Sequence, residues 1–242
     1  SRQTPDGGYA PEGNVADVEL TLETVYALAG AHALDILPAA GHASTLGYLA
    51  AHAPRATALD LGRLIIAVIA LDGNPRQLGG DDLVARLDAL YNPASGAYGL
   101  RVPDQAWALL ALAATHQTPP AAAVARLVGL QAYDGGWGPA STADPDTVTT
   151  ALAVQALAAV GGGDTAVAHA LNYLRGRQQP DGGFAAALGV RGSSTRATAA
   201  AIQALRAAGE VADGAAWTQH ALPTDASPLI AANAGGEQEC GT

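Results

Sequence analysis

The sequence predicts an all-α fold: a single domain over residues 1–242, made of about six helical hairpins that close into a ring, the last one shortened. Three observations carry this expectation. The chain repeats itself, because Thr21, Gly62, Gln105, Thr150 and Thr198 fall at equivalent places about 41 to 48 residues apart, the period of a two-helix unit. Ala dominates a composition that is 49% hydrophobic but only 5% aromatic, which suits helix formation and close helix–helix approach. The first helix of each unit is apolar nearly all round, as in Ala151–Val160 and Ala197–Ala207, whereas second helices carry charge, such as Asp82, Arg86 and Asp88, or Arg175 and Arg177. A helix without a polar face must be covered on both sides. First helices therefore form a parallel inner ring, and second helices run antiparallel to them outside it. An open stack would expose its end units and call for polar capping repeats.

In the first unit Asp6-Gly7-Gly8-Tyr9 reads as a turn and Asp17–Ala29 as the first helix, with Leu20, Leu22, Val25 and Leu28 apolar and Glu19, Glu23 and Thr24 polar. Pro38 and Gly41 interrupt, and His42–His52 forms the partner helix. The second unit runs from Thr57 to Leu71, breaks at Asp72-Gly73-Asn74-Pro75, and resumes from Asp81 to Tyr91, with Asp81 and Asp82 suited to a helix start. After a turn over Asn92–Gly99, Pro103-Asp104 opens the helix Gln105–Thr115, Pro being tolerated in a first turn. Thr118-Pro119-Pro120 then caps a partner helix that ends at Gln131. In the fourth unit Asp144-Pro145-Asp146-Thr147 leads into an Ala/Leu/Val run that stops at Gly161-Gly162-Gly163, and a second run follows from Asp164 to about Arg177. The fifth begins at Ser193-Ser194-Thr195, reaches Ala208, breaks at Gly209 and resumes from Asp213 to Leu222. Asp225–Asn233 starts a sixth unit that meets Gly235-Gly236 and stops at Thr242.

Charge and cysteine content narrow the function. With 22 acidic against 12 basic residues, net −10, the chain is not suited to tracking nucleic-acid phosphates. No apolar run reaches transmembrane length; the longest, Leu64–Leu71, is a short core segment. The lone Cys240 rules out an internal disulfide framework and any multi-cysteine zinc site. With no Met in the chain, a processed or excised polypeptide is expected, secreted or at the cell surface, with the cytoplasm as the other compartment.

Two stretches match position for position: Gln131-Ala132-Tyr133-Asp134-Gly135-Gly136-Trp137 and Gln178-Gln179-Pro180-Asp181-Gly182-Gly183-Phe184. A Gln amide can satisfy carbonyls left open at a helix end, paired glycines permit positive φ, and the aromatic then plugs the gap between neighbouring hairpins. With Leu127 and Leu174 before them, these stretches resemble the glutamine–tryptophan repeat of squalene cyclases and protein prenyltransferase β-subunits. The resemblance spans Asp6 to about Leu222. It implies the α/α-toroid fold of that superfamily, whose members also include complement thioester domains and vitamin B12 carriers. It does not imply one activity, since those members share little chemistry.

The resemblance does suggest where chemistry would sit. Class II terpene cyclases protonate an alkene with the middle Asp of an Asp-x-Asp-Asp motif at the start of an inner helix. Here Asp144 and Asp146 match the first two acids and Thr147 replaces the last, so Asp146 would be the donor and Asp144 its partner. Such an acid must stay neutral until used, which takes burial and a neighbouring carboxylate. The same residues also suit a plain helix cap. Cyclases further need aromatic faces for carbocations, and Tyr26 and Trp107 are the candidates on inner helices. Gln155 is added as a polar ligand-binding candidate. Prenyltransferases hold zinc with Asp, Cys and His; no Asp-x-Cys pair exists here, and His32, His42 and His52 do not share a helical face, so neither metal nor cofactor is expected. Gly236-Glu237-Gln238-Glu239-Cys240 reverses the order of a complement thioester and is read as coincidence.

At the rim where the inner helices start, free N–H groups favour anions. Asp17, Asp104, Asp144 and Asp146 oppose this in the other units, but Arg191, Ser193, Ser194, Thr195 and Arg196 offer two guanidinium groups and three hydroxyls in the fifth. They suit a carboxylate or phosphate-like group, unless Arg191 and Arg196 pair with Asp144 or Asp146. Three readings follow: a noncatalytic toroid holding an apolar or amphipathic small molecule or a peptide in its centre; a class II cyclase-like enzyme acting through Asp146; and a surface module for protein contacts.

Overall fold

The computed structural model describes residues 2–11, 15–30, 34, 39–212 and 217. His32, the sixth unit with Cys240, and the expected helix Asp213–Leu222 apart from Trp217 lie outside the described residues.

Among the described residues the chain forms nine helices: α1 (Val18–Gly30), α2 (Ala39–His52), α3 (Ala58–Ala70), α4 (Leu83–Ala89), α5 (Val102–Ala114), α6 (Ala121–Gly129), α7 (Thr147–Ala159), α8 (Asp164–Arg175) and α9 (Thr195–Ala207). The odd-numbered helices pack side by side in chain order, α1 on α3, α3 on α5, α5 on α7 and α7 on α9. Each of α2, α4, α6 and α8 packs on the helix before it. The fold is thus all-α, and its packing is compatible with the expected α/α toroid.

Because each outer helix returns the chain, the inner helices run parallel and start at one rim. Hydrogen bonds join the connections along that rim. The Val102 N–H donates to the Pro139 carbonyl (3.3 Å), and the Thr147 N–H donates to Ala186 (2.9 Å). The Thr147 hydroxyl also donates to the Ala185 carbonyl (2.6 Å).

The local reasons for the helix starts are mostly side-chain caps. Thr57 and Asp60 cap α3 reciprocally: the Asp60 N–H donates to Thr57 Oγ1 (3.1 Å) and the Thr57 N–H to Asp60 Oδ2 (3.0 Å). α4 is shorter than expected and starts at Leu83, because Asp82 is its cap, accepting from the Ala85 N–H (2.9 Å). Asp81 is drawn away to Arg55 and Arg86. Conversely α5 starts earlier than expected, at Val102, with Pro103 in its first turn and the Asp104 carboxylate accepting the Arg101 N–H (3.1 Å). α2 starts at Ala39, ahead of the expected His42. The segment read as a bare turn at Asp6–Tyr9 is the tip of a small antiparallel hairpin, β1 (Arg2–Gln3) paired with β2 (Tyr9–Ala10).

The core lies between the two layers of helices. Leu64, Ile65, Leu109, Leu127 and Leu157 are fully buried, each contributing about 2 kcal/mol. Ala67, Ala108, Ala153 and Ala156 are buried with them and let the inner helices approach closely.

Candidate functional site

The repeat positions found by alignment share one task. Thr21, Thr150 and Thr198 each use their hydroxyl oxygen to accept the backbone N–H of the aromatic ending the preceding turn: Tyr9, Trp137 and Phe184, all at 2.9 Å. Gln105 does the same with Oε1 for Tyr98 (2.9 Å), and its amide nitrogen donates to Gly96 and Ala123. Gly62 breaks the series. The segment entering α3, Ala53–Ala56, carries no aromatic turn, and a Cβ at Gly62 would meet the Trp107 carbonyl oxygen at 2.5 Å, so the position serves the close approach of α5 instead.

The Gln amides act as expected. Gln131 donates to Gly135 (2.9 Å) and across to Ala166 in α8 (2.8 Å), while Gln178 donates to Gly182 and to the Trp217 carbonyl. Trp137 is fully buried and its indole N–H donates to Leu127 (2.9 Å). A third copy, Gln3-Thr4-Pro5-Asp6-Gly7-Gly8-Tyr9, escaped the sequence reading; Gln3 donates to Gly7 (3.3 Å) in the same way. The signal was there, since five of its seven residues repeat those at Gln178–Phe184.

The inner helices leave one face uncovered by the outer layer. Gln105 faces α6, and Trp107, two residues on and so roughly 200° round the helix, faces away. Half-exposed residues recur at this register: Tyr26 on α1, Arg63 and Ile66 on α3, Trp107 and Leu110 on α5, Leu152 and Gln155 on α7. Tyr26 and Trp107 are brought together, ring centroids 5.9 Å apart and near-parallel. Between them lies a residue that sequence reasoning passed over. The Arg63 guanidinium sits 5.8 Å from the Tyr26 ring and 5.9 Å from that of Trp107. Glu19 and Glu23 fix it with bonds of 2.6 and 2.7 Å, and Tyr26 Oη donates to the Arg63 carbonyl (2.7 Å). The signal for Arg63 was the lone basic residue in α3, set between the apolar Leu61 and Leu64.

Burial pushes the Tyr26 hydroxyl well above its ordinary ionisation range. For Arg63 burial opposes the charge, but Glu19, helped by Tyr26 and Glu23, more than restores it and raises its value. Beside this cluster a cavity of about 270 Å³ opens between the first turns of α1 and α3, walled by Asp17, Glu19, Leu22, Asp60, Arg63 and Leu64.

Asp144 and Asp146 lie at the rim but do different things. Asp146 is the cap of α7. Its Oδ1 accepts the Thr149 N–H and its Oδ2 the Thr149 hydroxyl, both at 2.8 Å. Its own N–H donates to the Trp137 carbonyl (3.1 Å). Asp144 is exposed. Tyr173 reaches from α8 to donate to the Pro145 carbonyl (2.8 Å), bracing the loop between the two acids.

Arg191 and Arg196 are exposed, and among the described residues neither forms an ion pair, with Asp144, Asp146 or any other acid. The Ser193 hydroxyl is engaged with Asp181 (2.5 Å). Gln155 donates back to Ala151 (3.2 Å) and lies on the open face. Tyr26, Trp107 and Gln155 thus share one face, whereas Asp144, Arg191 and Ser193 belong to the connections at its rim. Among the described residues no three His, Cys, Asp or Glu side chains converge as metal ligands, and no helix is long and apolar enough to cross a membrane.

Comparison with known proteins gives a partial match. No family model matches the chain. A stretch of 60 residues is 48% identical to drimenyl diphosphate synthase of Streptantibioticus cattleyicolor, covering 24% of this chain and 11% of that protein. The relative is a terpene cyclase, and the all-helical fold here is consistent with a terpenoid-cyclase-like superfamily.

Proposed function

We propose that this chain is a binding module of terpenoid-cyclase type, which lays the hydrocarbon part of an isoprenoid along the open face of its inner helices and does not itself protonate it. The observation that carries this reading is the use made of Asp146. Both its carboxylate oxygens accept hydrogen bonds from Thr149 of its own helix, and its would-be partner Asp144 is exposed. That is the arrangement of a helix cap. The cation-binding faces of Tyr26 and Trp107 are likewise taken, by Arg63. What remains on offer is apolar: Ile66, Leu110, Leu152 and the outer edge of Trp107. At the rim Arg191 and Arg196, which form no ion pair among the described residues, suit an anionic head group, and the name of the similar synthase points to a diphosphate.

Trp107 reports on this face directly, because Trp137 and Trp217 are buried. Titration with geranylgeranyl diphosphate is expected to shift the tryptophan emission of the native protein and of Asp146→Asn alike, and to leave Trp107→Phe unchanged. No binding of geranylgeranyl diphosphate or squalene, and no lipid in native mass spectra of fresh protein, would refute the module reading.

A second reading, a class II cyclase-like enzyme with Asp146 as donor, draws on the placement of Asp-x-Asp at the start of an inner helix and on the same similarity. It requires a cyclised product from either isoprenoid, and the loss of that product in Asp146→Asn.

A further inference from the structure

We propose that the rim where the inner helices begin is a self-association surface, through which two copies of this chain meet face to face. The exposed large apolar side chains are unevenly placed. Leu100 (91% exposed) leads into α5, Leu188 (72%) and Val190 (50%) lead into α9, and Val15 (82%) leads into α1. Tyr133 and Leu90, also exposed, lie where α6 and α4 hand the chain back to the same rim. At the opposite end only Val211 is comparable among the described residues. The connections bearing Leu100, Tyr133 and Leu188 are hydrogen-bonded in sequence, Val102 to Pro139 and Thr147 to Ala186, so these side chains share one border. Apolar groups gathered at one end of a molecule mark a contact surface.

Charge on the same border says what covers it. In the first half of the chain Arg55, Arg63, Arg76, Arg86 and Arg101 all have carboxylate partners. On the rim Arg191 and Arg196 have none among the described residues, as is also true of Arg126, Arg175, Arg177 and Arg206, but here they share a border with Asp134 and Asp144, which have none either. A two-fold contact sets each patch against its counterpart, giving the guanidinium groups of one copy the carboxylates of the other. An anionic membrane is a poor alternative for a chain of net charge −10. The contact uses the same Arg191 and Arg196 as the isoprenoid reading, so a bound diphosphate is expected to compete with the dimer.

Sedimentation velocity of the whole chain over a concentration series tests it. The unaltered protein is expected to form a reversible dimer that weakens with salt. Leu100→Asp with Leu188→Asp, and separately Arg191→Glu with Arg196→Glu, are expected to weaken it at least about tenfold while far-UV circular dichroism and melting stay unchanged. Val211→Asp, at the other end, is expected to dimerise normally. A monomer at every concentration, a dimer indifferent to the rim variants, a dimer weakened equally by Val211→Asp, or a monomer that pellets with phosphatidylcholine vesicles would each overturn the proposal.

Discussion

Thr150 is fully buried, and its hydroxyl does one thing that no apolar side chain of the same shape could do: it accepts the N–H of Trp137. That N–H has no water to turn to, so removing its acceptor leaves a buried donor unmade, at about 1–3 kcal/mol. Thr150→Val is therefore expected to lower stability by that amount in urea denaturation, and Thr150→Ser to recover most of it. Thr198, which receives Phe184, is expected to behave the same way. Asp146 gives a parallel case at the rim. Asp146→Ala removes the cap of α7 and is expected to cost about 1 kcal/mol, Asp146→Asn much less, and Asp144→Ala almost nothing because Asp144 caps no helix. The Thr positions were visible in the sequence as a repeat, but their task was not. A hydroxyl 13 residues from its partner in Trp137 leaves no local trace, and only the fold shows that the two meet.

α3 and α5 share the most extensive of the inner contacts, and their close approach at Trp107 is allowed by Gly62. A side chain there would reach the Trp107 carbonyl carbon at 2.7 Å and its oxygen at 2.5 Å, both backbone atoms that cannot swing aside. Helix propensity alone favours Ala over Gly by about 1 kcal/mol, whereas overpacking costs about 1–3 kcal/mol. The clash wins, so Gly62→Ala is expected to lower the melting temperature and to disturb the Tyr26–Arg63–Trp107 cluster that bridges the same helices. Helix positions were legible from the apolar periodicity, and the inner-versus-outer assignment from which helices carried charge. Helix ends were less so, because several are set by partners distant in sequence: Asp81 leaves the start of α4 for Arg55. Arg63 was missed for a related reason. Its partners Glu19 and Glu23 lie 44 and 40 residues away, in a different hairpin.

For the molecule as a whole, the tyrosines set an upper limit on pH. Burial raises the ionisation of Tyr9, Tyr26, Tyr48, Tyr98 and Tyr173 above the ordinary value of 10.0, that of Tyr98 to about 12. A hydroxyl kept neutral by folding contributes stability that is complete below its unfolded value and is withdrawn as pH climbs through the folded one. The chain is thus expected to lose stability from about pH 10 upward, with the tyrosinate absorbance of these five rising in step with loss of helix rather than before it. Absorbance that rose fully while the circular dichroism held steady would show these hydroxyls to be open to solvent.

Three of the hairpin entries are nearly interchangeable. Tyr9 on Thr21, Trp137 on Thr150 and Phe184 on Thr198 are the same bond at the same length, and the Gln that opens each of these turns closes the corner. A splice that ran directly from Trp137 into the segment after Phe184 would present Thr198 where Thr150 had been. The number of hairpins can therefore change by whole units, by duplication or excision of coding sequence, without any new interaction having to be invented at the seam.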